Sequence, residues 1–117
     1  MSPGARTPEE LESLFEDCLL AGDGEALDDL FDAEALLLAG PGETGARGRE
    51  EIPQLVMTMC ERGYRYVADP RRVLQARDTT LVVAEHAINV MRRGGDGRWR
   101  YAISLLEVET ATEGDIA

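Results

Sequence analysis

The chain holds one histidine, His86, and a glutamate, Glu107, that strand pairing can set beside it. Between them Gly94-Gly95-Asp96-Gly97 separates two apolar, roughly two-periodic runs, which is a strong β-hairpin signal. A two-residue Asp96-Gly97 turn sets Gly95 opposite Arg98, and counting outward sets His86 opposite Glu107. Directly opposed residues on one sheet face hold their Cβ atoms roughly 4.5–5.5 Å apart, within reach of a hydrogen bond. A carboxylate there orients the imidazole and supports its imidazolium form, the arrangement a proton shuttle uses. His86 and Glu107 are therefore the candidate catalytic residues. Two other readings stay open: a purely structural His–Glu pair, and no contact at all. A turn one residue longer pairs Glu107 with Glu85 instead.

The same register puts Trp99, Tyr101, Ile103 and Leu105 on one face with Arg92, Val90, Ile88 and Ala84. Most of these are large and apolar, so this face is expected to be the concave, helix-covered one. The opposite face then carries Val83, Ala87, Asn89, Met91, Ala102, Ser104 and Leu106, small or mixed residues that suit a sheet-to-sheet homodimer contact. Asn89 and Ser104 oppose each other in that register. If the faces are inverted, these two and Glu85 line the interior instead.

Helices must position this sheet. Thr7 reads as an N-cap, with Pro8 in the first helical position and Glu9 and Glu10 at the positive helix end. Leu11, Leu14, Phe15, Cys18 and Leu19 form an apolar stripe, and Gly22 stops the helix. Asp23 opens a short second helix that turns Ala26, Leu27, Leu30 and Phe31 inward. Ala35–Ala39 is a strand, and the glycines from Gly40 to Gly48 make a long loop. A third helix over Glu50–Arg62 buries Ile52, Leu55, Val56, Met59 and Cys60. Strands follow over Val73–Arg77, Thr80–Met91 and Arg98–Glu109. Helices first and long antiparallel strands after is the α+β layout, with the helices gathered on one face of a curved sheet.

The 117 residues match one domain, with an ordered core expected over residues 8–109 and loose ends on either side. A net charge of −11 and the lack of a basic stripe argue against nucleic acid. Apolar runs are far shorter than the ~20 residues that span a bilayer, and the amino terminus is no signal peptide, so a cytoplasmic location is expected. Cys18 and Cys60, without CxxC spacing, read as packed thiols in a reducing compartment. Carboxylates at irregular spacing make a poor metal site, so neither metal nor cofactor is expected.

The order of elements and five local strings resemble the SnoaL-like or ketosteroid-isomerase-like group of the nuclear transport factor 2-like superfamily. The strings are Leu14-Phe15; Gly22-Asp23 followed by Ala26-Leu27 and Leu30-Phe31; Gly48-Arg49-Glu50-Glu51-Ile52; Asp78-Thr79-Thr80-Leu81-Val82; and Asp96-Gly97-Arg98-Trp99-Arg100-Tyr101. The resemblance implies a cone-shaped α+β barrel around an apolar pocket, with pairs of chains associating through the outer sheet face. It also implies acid–base isomerisation, cyclisation, dehydration or hydrolysis of a polyketide- or terpenoid-like molecule, or else a non-catalytic module that binds a hydrophobic ligand or partner. Trp99, Tyr101, Ile103, Tyr64, Phe15 and Met59 are the candidate substrate-binding residues on that reading.

Overall fold

The first helix is fixed at its start by side chains. In the computed structural model, which describes residues 4–39, 44–63 and 69–106, Thr7 Oγ1 accepts the Glu10 N–H at 3.0 Å. Glu10 Oε1 in turn accepts the Arg6 N–H at 2.7 Å. This near-reciprocal cap sets helix α1 over Pro8–Ala21. Gly22 ends it in the left-handed region, φ 68°, with its N–H on the Cys18 carbonyl.

The expected second helix is a single 3-10 turn, Ala26–Asp29. Asp23 Oδ1 caps it through the Ala26 N–H at 3.2 Å. It stops short because the Leu30 carbonyl is taken by the Tyr101 N–H at 2.8 Å, which draws the chain into the sheet. Strand β1 therefore begins early, over Phe31–Ala39. Four residues of the expected glycine loop pair back onto it as β2, Thr44–Arg47. Helix α2, Gly48–Glu61, buries Ile52, Val56 and Met59.

Strand β3 is Pro70–Ala76. The run read as one long strand from Thr80 to Met91 is two, β4 over Thr79–Ala84 and β5 over Ala87–Arg93, with Glu85-His86 at the bend. They pair antiparallel, Val83 opposite Ile88 and Thr79 opposite Arg92. The side-chain phase shows the break: Thr80 and Val82 point inward, but so do Ala87, Asn89 and Met91. An unbroken strand cannot bury even and odd positions on one face.

Strand β6 spans Trp99–Leu106. The strand order is β2-β1-β6-β5-β4-β3, and the sheet is mixed, because β1 runs parallel to β6 while every other pair is antiparallel. Both helices pack on the face that carries Phe31, Leu37, Val82, Met91 and Tyr101, giving one continuous core. Among the described residues no helix is long and apolar enough to cross a membrane. The amino-terminal segment is not all loose: Ala5 is buried, and its carbonyl accepts the Trp99 N–H at 2.8 Å. Cys18 is buried and Cys60 half-buried, both as free thiols. Burial first, then the nearby Asp23 and Asp17 carboxylates, pushes the Cys18 thiol up and keeps it protonated.

Two irregularities in the last hairpin decide which residues face the core. The turn is one residue longer than the sequence predicts. Gly94 and Arg98 close it through the Gly94 N–H to the Arg98 carbonyl at 2.8 Å, and Gly97 takes φ 80°. This sets Trp99 opposite Arg93 and Tyr101 opposite Met91. A bulge at Ala102 then shifts the register back by one, so Ile103 lies opposite Val90, Asn89 opposite Ser104, and Ala87 opposite Leu106. The expected face is thus correct for Trp99 and Tyr101 and inverted for the rest. Ala87, Asn89, Met91, Ser104 and Leu106 are buried, whereas Ile88, Ile103 and Leu105 are exposed.

Asp96 holds the long turn. It accepts the Arg98 N–H at 3.0 Å and the Arg100 guanidinium at 2.8 and 3.2 Å. These bonds, the Arg100 contact foremost, hold its carboxyl well below the usual carboxylate range. A carboxyl lowered in the folded state adds stability above its unfolded value, and that contribution fades as pH falls toward the folded one. Asp96→Asn is therefore expected to melt below the wild type at pH 7, with the gap closing between about pH 4 and pH 2. Melting curves across that range check it, and a gap that stays constant contradicts it.

Candidate functional site

The phase that Thr7 imposes on α1 decides which side chains turn toward the sheet. Pro8, Leu11, Phe15, Cys18 and Leu19 form the buried line, and Glu12 lies within it, 3% exposed. A carboxylate in that position must be hydrogen-bonded, because burying an unpaired charge is strongly unfavourable. The sheet supplies the donors. Tyr101 Oη donates to Glu12 Oε2 at 2.5 Å, and Asn89 Nδ2 donates to the same oxygen at 3.3 Å.

Both donors are held firmly. Tyr101 is anchored through its backbone to Leu30, and its ring packs 5.6 Å from Phe15 and 5.1 Å from Phe31. Phe15 and Phe31 meet edge-on at 5.8 Å and complete an aromatic cluster. Asn89 lies on β5 between Val82 of β4 and Ser104 of β6. Burial disfavours the ionised carboxyl, while two donors on one oxygen favour it, so protonation at Glu12 is set by these neighbours. Thr80, on the same inner face, is fully buried, and its Oγ1 has no hydrogen-bond partner.

Beside this network a half-open cleft of about 190 Å³ separates α1 from the far end of the sheet. The described residues that line it are Pro8, Glu9, Glu12 and Ser13 of α1, Pro70 and Val73 of β3, and Val82 of β4. Glu12 belongs to both the buried network and the cleft wall. The arrangement presents a desolvated carboxyl, fixed from behind by a tyrosine and an asparagine, to a small apolar space. Such a group can accept a proton and return it. Among the described residues no three His, Cys, Asp or Glu side chains are grouped to hold a metal ion.

The residues singled out from the sequence fall in several places. His86 lies on the bend between β4 and β5 with 60% of its side chain exposed, its Nε2 4.0 Å from Glu85 Oε2. Glu107 lies outside the described residues, as does Tyr64, so only the histidine half of the expected pair is described. Tyr101 and Phe15 form the wall behind Glu12. Met59 is buried in the core from α2. Trp99 is buried beside Ala5 with the Arg93 guanidinium 5.6 Å over its ring. Ile103 is 48% exposed on the opposite sheet face, where the Ala102 bulge turns it.

Glu12 itself does not emerge from the sequence reading, although a signal for it exists. Counting Leu14 into the apolar stripe centres the helix face one residue too far round. The buried line runs through positions 8, 11, 12, 15, 18 and 19, and position 12 is its one carboxylate. A charged residue at an apolar phase of a capped helix is the pattern to look for.

No protein-family model matches the chain, and no curated protein matches it by sequence. Solved structures do match its shape. A cystatin-like protein of unknown function from Nostoc punctiforme is 22% identical, with 90% of each chain covered and a TM-score of 0.71. A ketosteroid isomerase-like protein from Erwinia carotovora is 16% identical over 87% of this chain and 93% of that one, TM-score 0.70. An NTF2-like protein from Novosphingobium aromaticivorans is 20% identical over 90% and 81%, TM-score 0.66. At such identities the likeness establishes the fold, and the chemistry must be argued from the site. The chain has the cystatin-like α+β fold shared by ketosteroid isomerase-like and NTF2-like proteins.

Proposed function

We propose that the protein is a small-molecule enzyme working by general acid–base chemistry, with the Glu12 carboxyl taking up and returning a proton. The observation that carries this reading is a carboxylate that is 3% exposed yet lines an open cleft. Perturbed, desolvated carboxyls in clefts mark functional sites more often than structural ones. Tyr101 and Asn89 act as positioning residues: they fix the carboxyl and adjust how readily it ionises. The reaction class is proton transfer leading to isomerisation, cyclisation, dehydration or hydrolysis. A cavity of about 150 Å³ lined by apolar side chains takes a benzene ring. The 190 Å³ cleft therefore suits a one-ring terpenoid- or polyketide-like fragment rather than a fused polycycle. A shuttle through His86 and Glu107 is the competing proposal for the same chemistry, and the exposure of His86 disfavours it.

The second reading, a homodimer, draws on the outer sheet face. Ile88 pairs with Leu105 and Val90 with Ile103, while Leu36 and Leu38 of β1 adjoin Ile103 and Leu105. Ile88, Ile103, Leu105 and Leu74 are exposed. On a chain of net charge −11 this uncharged face is where two copies meet without repulsion. A dimer of this kind is compatible with either an enzyme or a binding module.

Deuterium uptake at the α-carbons of one-ring ketones, with and without an amine substituent, tests the enzyme reading. The wild type is expected to catalyse exchange for at least one of them, and Glu12→Gln to slow it by about 10²-fold or more. Loss in His86→Ala rather than in Glu12→Gln moves the chemistry to the histidine, and exchange that neither variant affects removes both assignments. For the outer face, sedimentation is expected to show a dimer that Ile103→Glu converts to a folded monomer. An unchanged sedimentation coefficient in the variant contradicts that contact.

A further inference from the structure

Resting on the reading of the cleft as the substrate site, we infer that its ligand is a compact, one-ring molecule that presents a protonated amine to Glu12. The cleft's charge is one-sided. Its described lining has two carboxylates, Glu9 and Glu12, one hydroxyl, Ser13, and the apolar Pro8, Pro70, Val73 and Val82, with no cationic side chain among them. Every basic residue of the chain is an arginine. The arginine next to the cleft in sequence, Arg71, is drawn away to Glu85 at 2.7 Å and Asp69 at 3.5 Å. An anionic ligand would meet two carboxylates at close range with no balancing charge. A cation would meet complementary charge, and the overall charge of −11 would draw it in.

Depth and size add to the sign. Glu12 is the deep carboxylate, 3% exposed, and Glu9 stands one helical turn earlier at the exposed rim. A ligand entering between Pro8, Pro70 and Val73 leads with its polar end toward Glu12 and leaves its ring against Val73 and Val82. The volume of about 190 Å³ admits one ring and its substituent, below the roughly 300 Å³ where drug-sized pockets begin. Charge-assisted hydrogen bonds in a partly dry site are the strong ones, so the amine, more than the ring, sets the selectivity.

Titration of the protein at pH 7 with benzylammonium, benzyl alcohol and benzoate, followed by NMR and calorimetry, tests this inference. Benzylammonium is expected to bind at least about tenfold more tightly than benzyl alcohol, and benzoate not to bind. Glu12→Gln is expected to bring benzylammonium down to the level of the alcohol. Ser13→Arg, at an exposed position on the cleft wall that leaves the core untouched, is expected to abolish amine binding. Benzoate binding as tightly as benzylammonium, an amine preference that survives both substitutions, or no binding of any probe overturns the inference. Amine selectivity without any deuterium exchange upholds this inference and removes the catalytic reading. Exchange of neutral ketones without amine preference does the reverse.

Discussion

A carboxylate moved out of water between a helix and a sheet is tolerated only where donors meet it, and the interior of this protein is arranged around that requirement. Glu12 comes from α1, while its partners Tyr101 and Asn89 come from β6 and β5. The bonds therefore tie the helix to two adjacent strands in one geometry. The aromatic cluster of Phe15, Phe31 and Tyr101 holds that geometry from the apolar side. Taking one ion out of water is penalised by several kcal/mol even after relaxation, so the network is retained despite a stability cost rather than for stability. Opening onto a cleft gives that cost a purpose.

The network depends on two departures from regular pairing. Without the longer Gly94–Arg98 turn, Tyr101 would not lie opposite Met91 on the inner face. Without the bulge at Ala102, the inner face would continue through Ile103 and Leu105, and Asn89 would lose its place opposite Ser104. Bulges often stand beside functional sites, where they re-aim a side chain. Here one bulge serves both faces, turning Ser104 and Leu106 into the core and leaving Ile103 and Leu105 as outer apolar surface. Asp96, tying Arg98 and Arg100 to the turn, holds the first of these departures in place.

Much of the fold is legible in the sequence because local chemistry agrees with global packing. Thr7-Pro8-Glu9-Glu10 announces α1, the Ile52-Val56-Met59 spacing announces α2, and the glycines around Asp96 announce the last hairpin. What remains hidden is non-local. β2 exists because β1 offers its edge to the Thr44–Arg47 segment, and the 3-10 turn ends where the sheet takes the Leu30 carbonyl. The split at Glu85-His86 is visible only as a change of phase between Val82 and Ala87. The site is the least legible part, since Glu12 pairs with residues 77 and 89 positions away. No local pattern predicts such contacts, although a carboxylate on the buried line of α1 does flag a residue that needs partners.

A double-mutant cycle on Glu12→Gln and Tyr101→Phe, followed by urea unfolding, tests the central claim most directly. If the buried hydrogen bond ties helix to sheet, the two substitutions are coupled by about 1–3 kcal/mol, and the double variant is less destabilised than the sum of the singles. Effects that add within about 0.3 kcal/mol would show that Glu12 and Tyr101 act independently, and the account of a carboxyl set by its tyrosine would fall.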